Sequence, residues 1–439
     1  MKRLVLLLFI ALSLSSVEAQ IRGNSIVVTV EPDHQDWNYR VGETAKFVVE
    51  VRRSGTLVND VCIDYAAGPE MYQDVKKTVT LKDGTLKLTG KMSTPGFYRV
   101  DVTAHVDGKN YCGACAAAFS PEKLQPSTVM PTDFKAFWEN AIKEARYTSL
   151  EPTKRLLTER CTKDVNVYEV SFQNMRWNSR TYGILCVPVK EGRYPALLRV
   201  PGAGVRPYSG DVWTASQGVV TLEIGIHGIP VTLDQKIYDD LANGALNCYW
   251  TYGMDNRDAS YYKRVVVGCI RAIDFIEQFT PWDGEQLGVT GSSQGGFLSL
   301  ATAGLDKRVT CYAPVHAAMC DYSAALKNVA CGWPHYFYRG ERLEERGERL
   351  EVRGERLEAT RYYDGVNFAR LITDKQRGWF SFGYNDDVVP PTTAYATYNT
   401  ITGPKELSPY QATWHFWFQE QWDEWENWLL KELGVRSEK

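Results

Sequence analysis

The chain has 439 residues, which is enough for two or three domains, or for one large enzyme domain with an accessory module. Its formal net charge of −3 and its 23% of charged residues exclude the basic surplus of a nucleic-acid-binding protein and the acidic surplus of a solvating tail. Beyond the N-terminus, no run approaches the roughly 18 apolar residues of a membrane-spanning helix. We therefore expect no membrane span and no nucleic-acid partner.

The first residues have the layout of a secretory signal peptide. Lys2 and Arg3 precede a short apolar stretch, and Val17-Glu18-Ala19 provides a small-x-small cleavage site. No cysteine stands near that site, so no lipoprotein anchor is expected. The sequence predicts a signal peptide over residues 1–19 and a mature protein that is exported, either to the periplasm or out of the cell.

Residues 20–122 are predicted to be an all-β domain. Apolar and polar residues alternate in SIVVTV, TAKFVVEVRR, KKTVTLKDGTLKLTG and GFYRVDVTAHVDG, with glycine, aspartate and asparagine between these segments. Lys82-Asp83-Gly84 is a hairpin signal. Short strands at regular spacing over about a hundred residues are typical of a β-sandwich of immunoglobulin type.

The ten cysteines permit disulfides in an exported protein. We expect Cys62 to bridge either Cys112 or Cys115. Cys112-Gly-Ala-Cys115 also has the spacing of a redox or zinc half-site. However, no second cysteine or histidine pair stands at zinc spacing, and no βαβ pattern surrounds it. We therefore predict no metal site, and burial as small apolar side chains for the later cysteines.

Residues 123–439 are predicted to be an α/β domain. DFKAFWENAIKEA is an amphipathic helix with Asp133 as its predicted cap, and VNVYEVSFQ and RTYGILCVPV are predicted to form an antiparallel strand pair. Near-continuous apolar strands then alternate with helices, which indicates a doubly covered, mostly parallel sheet. A functional site is expected at the carboxyl ends of its strands.

A charged heptamer is repeated three times within residues 339–359. Leu343, Leu350 and Leu357 recur every seven residues, but a coiled coil needs two apolar positions per heptad and more heptads. Each glycine of the repeat disfavours a helix by roughly 1 kcal/mol relative to alanine. We predict a solvated helical insertion, and the alternative is an arm that binds a partner.

The segment GVTGSSQGG has the pattern of a nucleophile elbow. It follows a predicted buried strand, precedes a helix rich in small residues and fits G-x-S-x-G. Gly291 and Gly295 flank Ser293 at two residues, which makes Ser293 rather than Ser292 the predicted nucleophile. The backbone N–H of Gln294 is then a predicted oxyanion donor. The alternative is a phosphate-binding loop, which would need a G-K-[ST] ending that is missing here.

The acid and the base should follow the nucleophile in chain order. Of the three later histidines, His316 and His335 do not come after a late strand, whereas His415 does. His415 is therefore the predicted base, and its alternative is a packed core histidine. The acid is expected where SFGYNDDVVPPTTAY ends a strand, so the residues themselves leave Asp386 and Asp387 open.

The second oxyanion donor is expected from a loop after an earlier strand. The stretch ALLRVPGAGV is such a loop, and its glycines allow backbone N–H groups to approach the site. The backbone N–H groups of Ala203 and Gly204 are the two candidates. The alternative is an ordinary tight turn.

From about residue 131 onwards the chain resembles the acetyl xylan esterase and cephalosporin C deacetylase group, carbohydrate esterase family seven. The matching stretches are DFKAFWENAIKEA, YYKRVVVGCIRAIDFIE, GVTGSSQGG, YDGVNFARLI and GYNDDVVPPTTAYATYNTITGPKEL. The resemblance implies an α/β-hydrolase fold and the removal of acetyl groups from oligosaccharides. It also implies that Asp386, four residues before Pro390, is the acid. Ala203 is implied as the oxyanion residue, because VPGAG stands where the family has H-G-Y-N-G.

The sequence differs from the family pattern at several places. His227 lies in Ile226-His227-Gly228-Ile229 where the family carries R-G-Q, and Phe416 follows His415 where the family usually has glutamate. The N-terminal sandwich and the heptamer insertion are additional to the family pattern. The family's ring-like oligomer implies that a homo-oligomer is to be considered.

These features predict a secreted serine esterase that removes acetyl or another small acyl group from a plant-type glycan such as acetylated xylan. Ser293, His415 and Asp386 would act as a triad, with no cofactor and no metal ion. One alternative is a serine oligopeptidase-like hydrolase, which shares G-x-S-x-G-G but usually has a much larger upstream propeller. The other is a non-catalytic glycan-binding surface protein with a decayed hydrolase domain, against which the complete Ser-Asp-His order argues.

Overall fold

The computed structural model describes residues 25–338 and 350–435. The predicted signal peptide and residues 339–349 of the heptamer repeat lie outside the described residues. The chain divides into two compact units. The first contains residues 25–69, 73–94 and 98–119, and the second contains residues 70–72, 95–97 and 120–435.

Residues 26–119 form strands only. They are β1 (Ile26–Pro32), β2 (Asn38–Tyr39), β3 (Thr44–Arg53), β4 (Thr56–Leu57), β5 (Val61–Pro69), β6 (Val75–Leu81), β7 (Thr85–Lys91), β8 (Gly96–Val106) and β9 (Lys109–Phe119). One sheet has the order β1-β3-β4 with β7 also paired to β3, and the other has the order β2-β9-β8-β5-β6. In β3, fully buried Phe47 and Val49 alternate with exposed residues, which is the period of a strand with one face on a core. The predicted all-β N-terminal region is confirmed, and its antiparallel strands fit a sandwich.

The hairpin predicted at Lys82-Asp83-Gly84 is wrong. β6 pairs with β5 in one sheet, whereas β7 pairs with β3 in the other, so the turn carries the chain between sheets instead of joining paired strands. The turn itself has the expected chemistry. Gly84 has φ +74°, and a Cβ there would lie 2.7 Å from the carbonyl oxygen of Val58.

The disulfide predicted for Cys62 is also wrong, because all ten cysteines are free. Cys62 lies on β5 and both of its expected partners, Cys112 and Cys115, lie on β9. β8 runs between β5 and β9 in the sheet. Two strand spacings amount to about 9.5 Å, which is beyond the roughly 7 Å limit between the Cα atoms of a disulfide.

The second unit alternates strands with helices. Its helices are α1 (Phe134–Arg146), α2 (Val212–Ser216), α3 (Gln235–Asn243), α4 (Tyr261–Phe279), α5 (Gln294–Leu305), α6 (Leu350–Thr360), α7 (Gly365–Ala369), α8 (Pro391–Thr400) and α9 (Gln419–Glu432). Its strands are β10 (Thr153–Leu156), β11 (Val165–Gln173), β12 (Arg180–Pro188), β13 (Tyr194–Arg199), β14 (Val220–Gly225), β15 (Trp282–Ser292), β16 (Cys311–Val315), β17 (Arg377–Phe380) and β18 (Lys405–Leu407). Among the described residues, no helix is long and apolar enough to cross a membrane.

All nine of these strands form one sheet in the order β10-β11-β12-β14-β13-β15-β16-β17-β18. The predicted antiparallel pairing of β11 with β12 is confirmed, and the strands from β14 to β18 are parallel. Both faces are covered. On β13, Leu198 packs in the core that contains residues of α1, α4 and α5, while neighbouring Leu197 packs with Trp425 and Leu429 of α9. The predicted α/β fold with a doubly covered, mostly parallel sheet is confirmed.

Asp133 precedes α1 but does not cap it through its side chain. Its carboxylate instead accepts hydrogen bonds from Arg257 Nη1, at 2.7 Å, and from the hydroxyl of Tyr362. A guanidinium carries a full positive charge, which a helix amide does not, so the ionised carboxylate pairs with Arg257 and the side chain turns away from the helix.

The parallel strands bring the predicted site segments to one edge. The loop after β13 contains Ala203, β15 ends at Ser292, and Asp386 lies in the loop after β17. Because β13, β15, β16 and β17 are neighbours in the sheet, these loops leave the same carboxyl edge side by side.

The free cysteines give a testable outcome. Without reductant, the denatured mature protein should titrate all ten thiols with Ellman's reagent. In the native protein the exposed Cys112 and Cys248 should react first, whereas burial raises the pKa of Cys269 to about 12 and leaves little thiolate there. A protein treated with reductant and then desalted is the control. A denatured value two thiols lower before reduction than after it would contradict the structure.

Candidate active site

Ser293 stands at a sharp turn between β15 and α5. Its φ of 61° and ψ of −122° are rare for a residue with a side chain and cost roughly 1–3 kcal/mol. Hydrogen bonds hold this conformation. The N–H of Ser293 donates to the carbonyl of Val315 at 2.9 Å, and its own carbonyl accepts from the N–H groups of Gly296 at 2.9 Å and Ala318 at 3.0 Å. This is the strand-to-helix turn that the G-x-S-x-G pattern indicates.

Three glycines make the turn sterically feasible. A Cβ on Gly291 would lie 2.4 Å from the carbonyl oxygen of Val200, and one on Gly295 would lie 2.5 Å from the same oxygen. A Cβ on Gly296 would lie 2.7 Å from the Cα of Ala317. These contacts involve backbone atoms that cannot rotate away, so any larger residue would push the turn away from the neighbouring strands.

The side chain of Gln294 connects the turn to the loop after β13. It is fully buried, and its Oε1 accepts hydrogen bonds from the hydroxyls of Tyr249, at 2.6 Å, and Tyr262, at 2.8 Å. Its Nε2 donates to the carbonyl of Pro201 at 3.2 Å. From the sequence, only the backbone N–H of Gln294 is predicted to have a role, as an oxyanion donor. This N–H lies at the first position of α5 and has no acceptor within the helix. The side-chain role depends on distant tyrosines and has no local signal.

The loop after β13 presents the two predicted oxyanion donors differently. The N–H of Gly204 donates to the hydroxyl of Tyr249 at 3.3 Å. Within the described ranges the N–H of Ala203 has no protein acceptor, so it is the donor of the two that is available to a substrate. Arg206 also stabilises the loop. Its Nη1 donates to the carbonyl of Ala203 at 3.0 Å, and its Nη2 donates to the carbonyl of Gly202 at 3.3 Å.

His227 follows β14 and supports the same loop. Its Nε2 is 2.9 Å from the carbonyl of Gly204, which can only accept, so the proton is on Nε2. Its Nδ1 then accepts from the hydroxyl of Tyr261 at 2.7 Å. Burial lowers the pKa of His227 to about 4, which the bond to Gly204 only partly offsets, so the ring is neutral near pH 7. His227 is thus a neutral residue that hydrogen-bonds the loop after β13, and it stands where the family pattern carries R-G-Q.

Asp386 and His415 are brought together by the loops after β17 and β18. His415 Nδ1 donates to Asp386 Oδ2 at 2.7 Å, while Asp386 Oδ1 accepts from the N–H groups of Val388 and Val389 at 3.0 and 2.8 Å. Burial alone would raise the pKa of Asp386, but the hydrogen bonds from the two histidines that face it outweigh burial and hold the pKa at about 2. Asp386 is fully buried whereas Asp387 is exposed, so Asp386 is the one that orients the imidazole.

Contacts connect Asp386 and His415 to the turn at Ser293. His316 follows directly on Val315, whose carbonyl accepts the N–H of Ser293, and His316 Nδ1 lies 3.3 Å from Asp386 Oδ2. Within the part of the chain that the structure describes, the Ser293 hydroxyl and His415 form no hydrogen bond. Such a contact often tightens only when substrate is bound. The arrangement has the components of nucleophilic catalysis at one edge of the sheet.

From the sequence, His316 is excluded as the base because it does not come after a late strand. Its signal was nevertheless present: it directly follows β16 and so leaves the same carboxyl edge as the other site residues. His335, also set aside, is held by the carbonyl of Cys331 at 2.9 Å.

The one group of potential metal-binding side chains within the described residues consists of His316, Asp386 and His415, with ligand atoms within 4.8 Å of one another. Both imidazoles already meet Oδ2 of Asp386, and two backbone amides meet its Oδ1. Both oxygens of this carboxylate are therefore already occupied by hydrogen bonds from the chain itself.

The chain is similar to known proteins over most of its length. Residues 121–431 match the family described as "Acetyl xylan esterase (AXE1)". The acetyl esterase Axe7A of Xylanibacter ruminicola is 38% identical over 429 residues, which covers 94% of this chain and 93% of that protein. Because so much of the chain is covered, this similarity extends across both units.

Two solved structures are also similar. An acetyl xylan esterase from Paenibacillus sp. R4 has a TM-score of 0.59 at 26% identity and covers 71% of this chain and 98% of its own. Acetyl xylan esterase 1 from Thermoanaerobacterium sp. JW/SL YS485 has a TM-score of 0.59 at 23% identity, covers 71% of this chain and 97% of its own, and supports the fold alone. More than a quarter of this chain has no counterpart in either structure.

The packing at the turn predicts a sharp difference between two identical substitutions. Gly295→Ala should lower the free energy of unfolding by about 2 kcal/mol, because the added Cβ meets the Val200 carbonyl. Gly354→Ala, in α6 with nothing near the added Cβ, should raise it by up to about 1 kcal/mol. Urea unfolding followed by tryptophan fluorescence measures both. Equal effects of the two substitutions would contradict the close approach at the turn.

Proposed function

The chain belongs to the acetyl xylan esterase family and is a carboxylic-ester hydrolase, and from this premise we propose that it is a secreted serine esterase of acylated carbohydrates. In this proposal it removes acetyl or other small acyl groups from substrates such as acetylated xylan or xylo-oligosaccharides. The observation that carries the proposal is the hydrogen bond between His415 and buried Asp386 at the same edge as the strained Ser293.

The proposed first step is attack by Ser293 Oγ on the carbonyl carbon of the ester. His415 takes the hydroxyl proton on Nε2, because its Nδ1 is committed to Asp386. The imidazolium that forms is stabilised by the ionised carboxylate, whose low pKa keeps it charged throughout the neutral range. His415 then gives the proton to the leaving sugar oxygen, and the acyl group stays on Ser293.

The negative charge of the tetrahedral intermediate needs donors that are already in place. The backbone N–H groups of Gln294 and Ala203 are the proposed pair. The side chain of Gln294 supports this assignment, because it hydrogen-bonds Pro201 and so holds the turn and the loop at a set distance. Fixed donors stabilise the developing charge without reorganising at the moment of reaction.

The second half of the reaction repeats the chemistry with water. His415 removes a proton from a water molecule, the hydroxide attacks the acyl-enzyme, and the proton returns to Ser293 Oγ. Acetic acid leaves and loses its proton to the solvent, while the proton taken from the attacking water passes through His415 to Ser293 Oγ. The proposed cycle uses only groups of this chain.

The substrate class rests on the relatives. The relatives are an acetyl esterase and an acetyl xylan esterase, so we propose acetylated sugars as substrates of this chain as well. The exported location rests on the N-terminal sequence, where Lys2 and Arg3 precede an apolar stretch and a cleavage site. N-terminal sequencing of the protein recovered outside the cytoplasm should give Gln20 as its first residue.

The proposed triad predicts a strict difference between neighbouring residues. Ser293→Ala should lower kcat/KM for p-nitrophenyl acetate by about 10³-fold or more, because the nucleophile is removed. Asp386→Asn should lower it by about 10²- to 10⁴-fold, because the amide cannot hold the imidazolium. Initial rates with purified variants measure both effects.

The matched controls are Ser292→Ala and Asp387→Asn, which change the adjacent residue of the same type. Both should keep kcat/KM within about threefold of the unaltered enzyme, because among the described residues neither side chain hydrogen-bonds Ser293, His415 or Asp386. Full activity of Ser293→Ala, or a loss in Ser292→Ala as large as in Ser293→Ala, would refute the nucleophile assignment.

A substrate series tests the proposed acyl and sugar classes. Acetate release should be measured from acetylated xylan, acetylated xylo-oligosaccharides and acetylated monosaccharides, with butyryl and longer esters alongside and Ser293→Ala as the blank. We expect kcat/KM to fall from acetyl to longer acyl groups. Preference for long acyl chains, or cleavage of peptides in place of esters, would overturn the proposed substrate class.

A further inference from the structure

His316 is a second histidine that faces the proposed acid. It is 1% exposed, and its Nδ1 lies 3.3 Å from the same Asp386 Oδ2 that accepts His415 Nδ1 at 2.7 Å. The two imidazole rings are edge to face, with centroids 5.3 Å apart. One carboxylate oxygen therefore serves two histidines, and the proposed triad uses only one of them.

The proton on His316 can be assigned from its partners. Asp386 is ionised, since its pKa is held at about 2, so it can only accept and His316 must carry its proton on Nδ1. Burial lowers the pKa of His316, and the attraction of Asp386 only partly offsets this effect. Its Nε2 is buried and lacks a hydrogen-bond partner among the described residues, so no second contact stabilises a charged ring. His316 is thus a neutral donor to the acid.

The backbone of His316 is held in an unfavourable conformation to place this ring. Its φ of 44° lies in the left-handed region, which side-chain-bearing residues seldom adopt. Its N–H donates to the carbonyl of Ser381 at 3.0 Å, which fastens the end of β16 to the segment that leads to Asp386. Strained residues of this kind concentrate at functional sites, because packing alone is satisfied by relaxed conformations.

We propose that His316 is a positioning residue: it donates a second hydrogen bond to Asp386 Oδ2, fixes the plane of the carboxylate, and shares its negative charge with His415. The proposal rests on the Ser293-His415-Asp386 mechanism above. The titratable groups that face this carboxylate are His316 and His415, while the more distant His335 is exposed to the charges of both Asp386 and Asp387. The pKa of His335 is lowered by burial, so it adds no positive charge near pH 7.

The shared charge gives a direction for the pH dependence. Removing the His316 donor leaves Asp386 Oδ2 with His415 as its only side-chain donor, so the carboxylate attracts a protonated His415 more strongly. The acid limb of kcat/KM then moves to a higher pH. A hydrogen bond to a charged group corresponds to about one to two pH units, and the longer His316 bond, which shares Oδ2 with His415, to about half of the lower value.

The test compares His316→Leu with His316→Asn. Leucine removes the donor, while the asparagine Nδ2 occupies nearly the place of the imidazole Nδ1, and asparagine tolerates a left-handed backbone. We expect the acid-limb midpoint of His316→Leu to rise by about half a pH unit and its kcat to fall about tenfold. His316→Asn should stay within about twofold and about 0.2 pH unit of the unaltered enzyme. Rates are expressed per active site titrated with an organophosphate, so that misfolded protein does not count.

The outcomes separate this inference from the proposed mechanism. Loss of activity in Ser293→Ala together with an unshifted profile in His316→Leu would overturn the role of His316 alone. A profile of His316→Asn that matches His316→Leu would also overturn it, because the donor would then be irrelevant. Retained activity in Ser293→Ala would instead remove the mechanism on which the inference rests.

Nuclear magnetic resonance of the unaltered enzyme provides a test that needs no substitution. With nitrogen-15-labelled histidine, His316 should show a neutral ring protonated on Nδ1 throughout the pH range of the acid limb. A ring protonated on Nε2, or one that becomes charged together with the loss of activity, would overturn the proposal even if His316→Leu does not fold.

Discussion

The contact between the Val200 carbonyl and the two glycines that flank Ser293 determines the rest of the site. A Cβ at Gly291 or Gly295 would lie within 2.5 Å of that oxygen, so the turn and the loop after β13 can approach each other only as backbone. This approach places the N–H of Gln294 opposite the loop that carries Ala203. It also lets the buried side chain of Gln294 reach Pro201, which prevents the two segments from separating. Strain at Ser293 is sustained because both sides of the contact are packed parts of one parallel sheet.

A second constraint is the buried negative charge of Asp386. An isolated carboxylate in such a place would take up a proton, because burial disfavours the charged form. Here two backbone amides meet one oxygen and two imidazoles meet the other, and the pKa is held at about 2. The acid therefore stays ionised under all conditions in which an imidazole base works. The loop after β17 supplies the two amides locally, since Val388 and Val389 lie two and three residues after the acid, whereas both imidazoles come from other loops.

Features that depend on neighbours in the chain could be predicted from the sequence, and features that depend on distant partners could not. The alternation of strands and helices predicts the parallel sheet, and the glycine spacing predicts the turn at Ser293. In contrast, Lys82-Asp83-Gly84 has good hairpin chemistry, yet the strands beside it pair in different sheets. Asp133 precedes a helix, but Arg257, more than a hundred residues away in the chain, takes its carboxylate. His316 was set aside for its place in the chain order, and only the adjacency of β16 and β17 brings it to Asp386.

The chain accommodates the difference from the family pattern at His227 because several hydrogen bonds, and not one residue, hold the loop after β13. The hydroxyl of Tyr249 donates to Gln294 Oε1 and accepts from the N–H of Gly204, so a single group links the turn to the loop. His227 adds a bond to the carbonyl of the same Gly204 and packs its ring against Tyr249, with centroids 4.7 Å apart. With Gly204 restrained at both its N–H and its carbonyl, the preceding N–H of Ala203 keeps its direction without a partner of its own. A neutral histidine suffices for this purpose because it supplies geometry rather than charge.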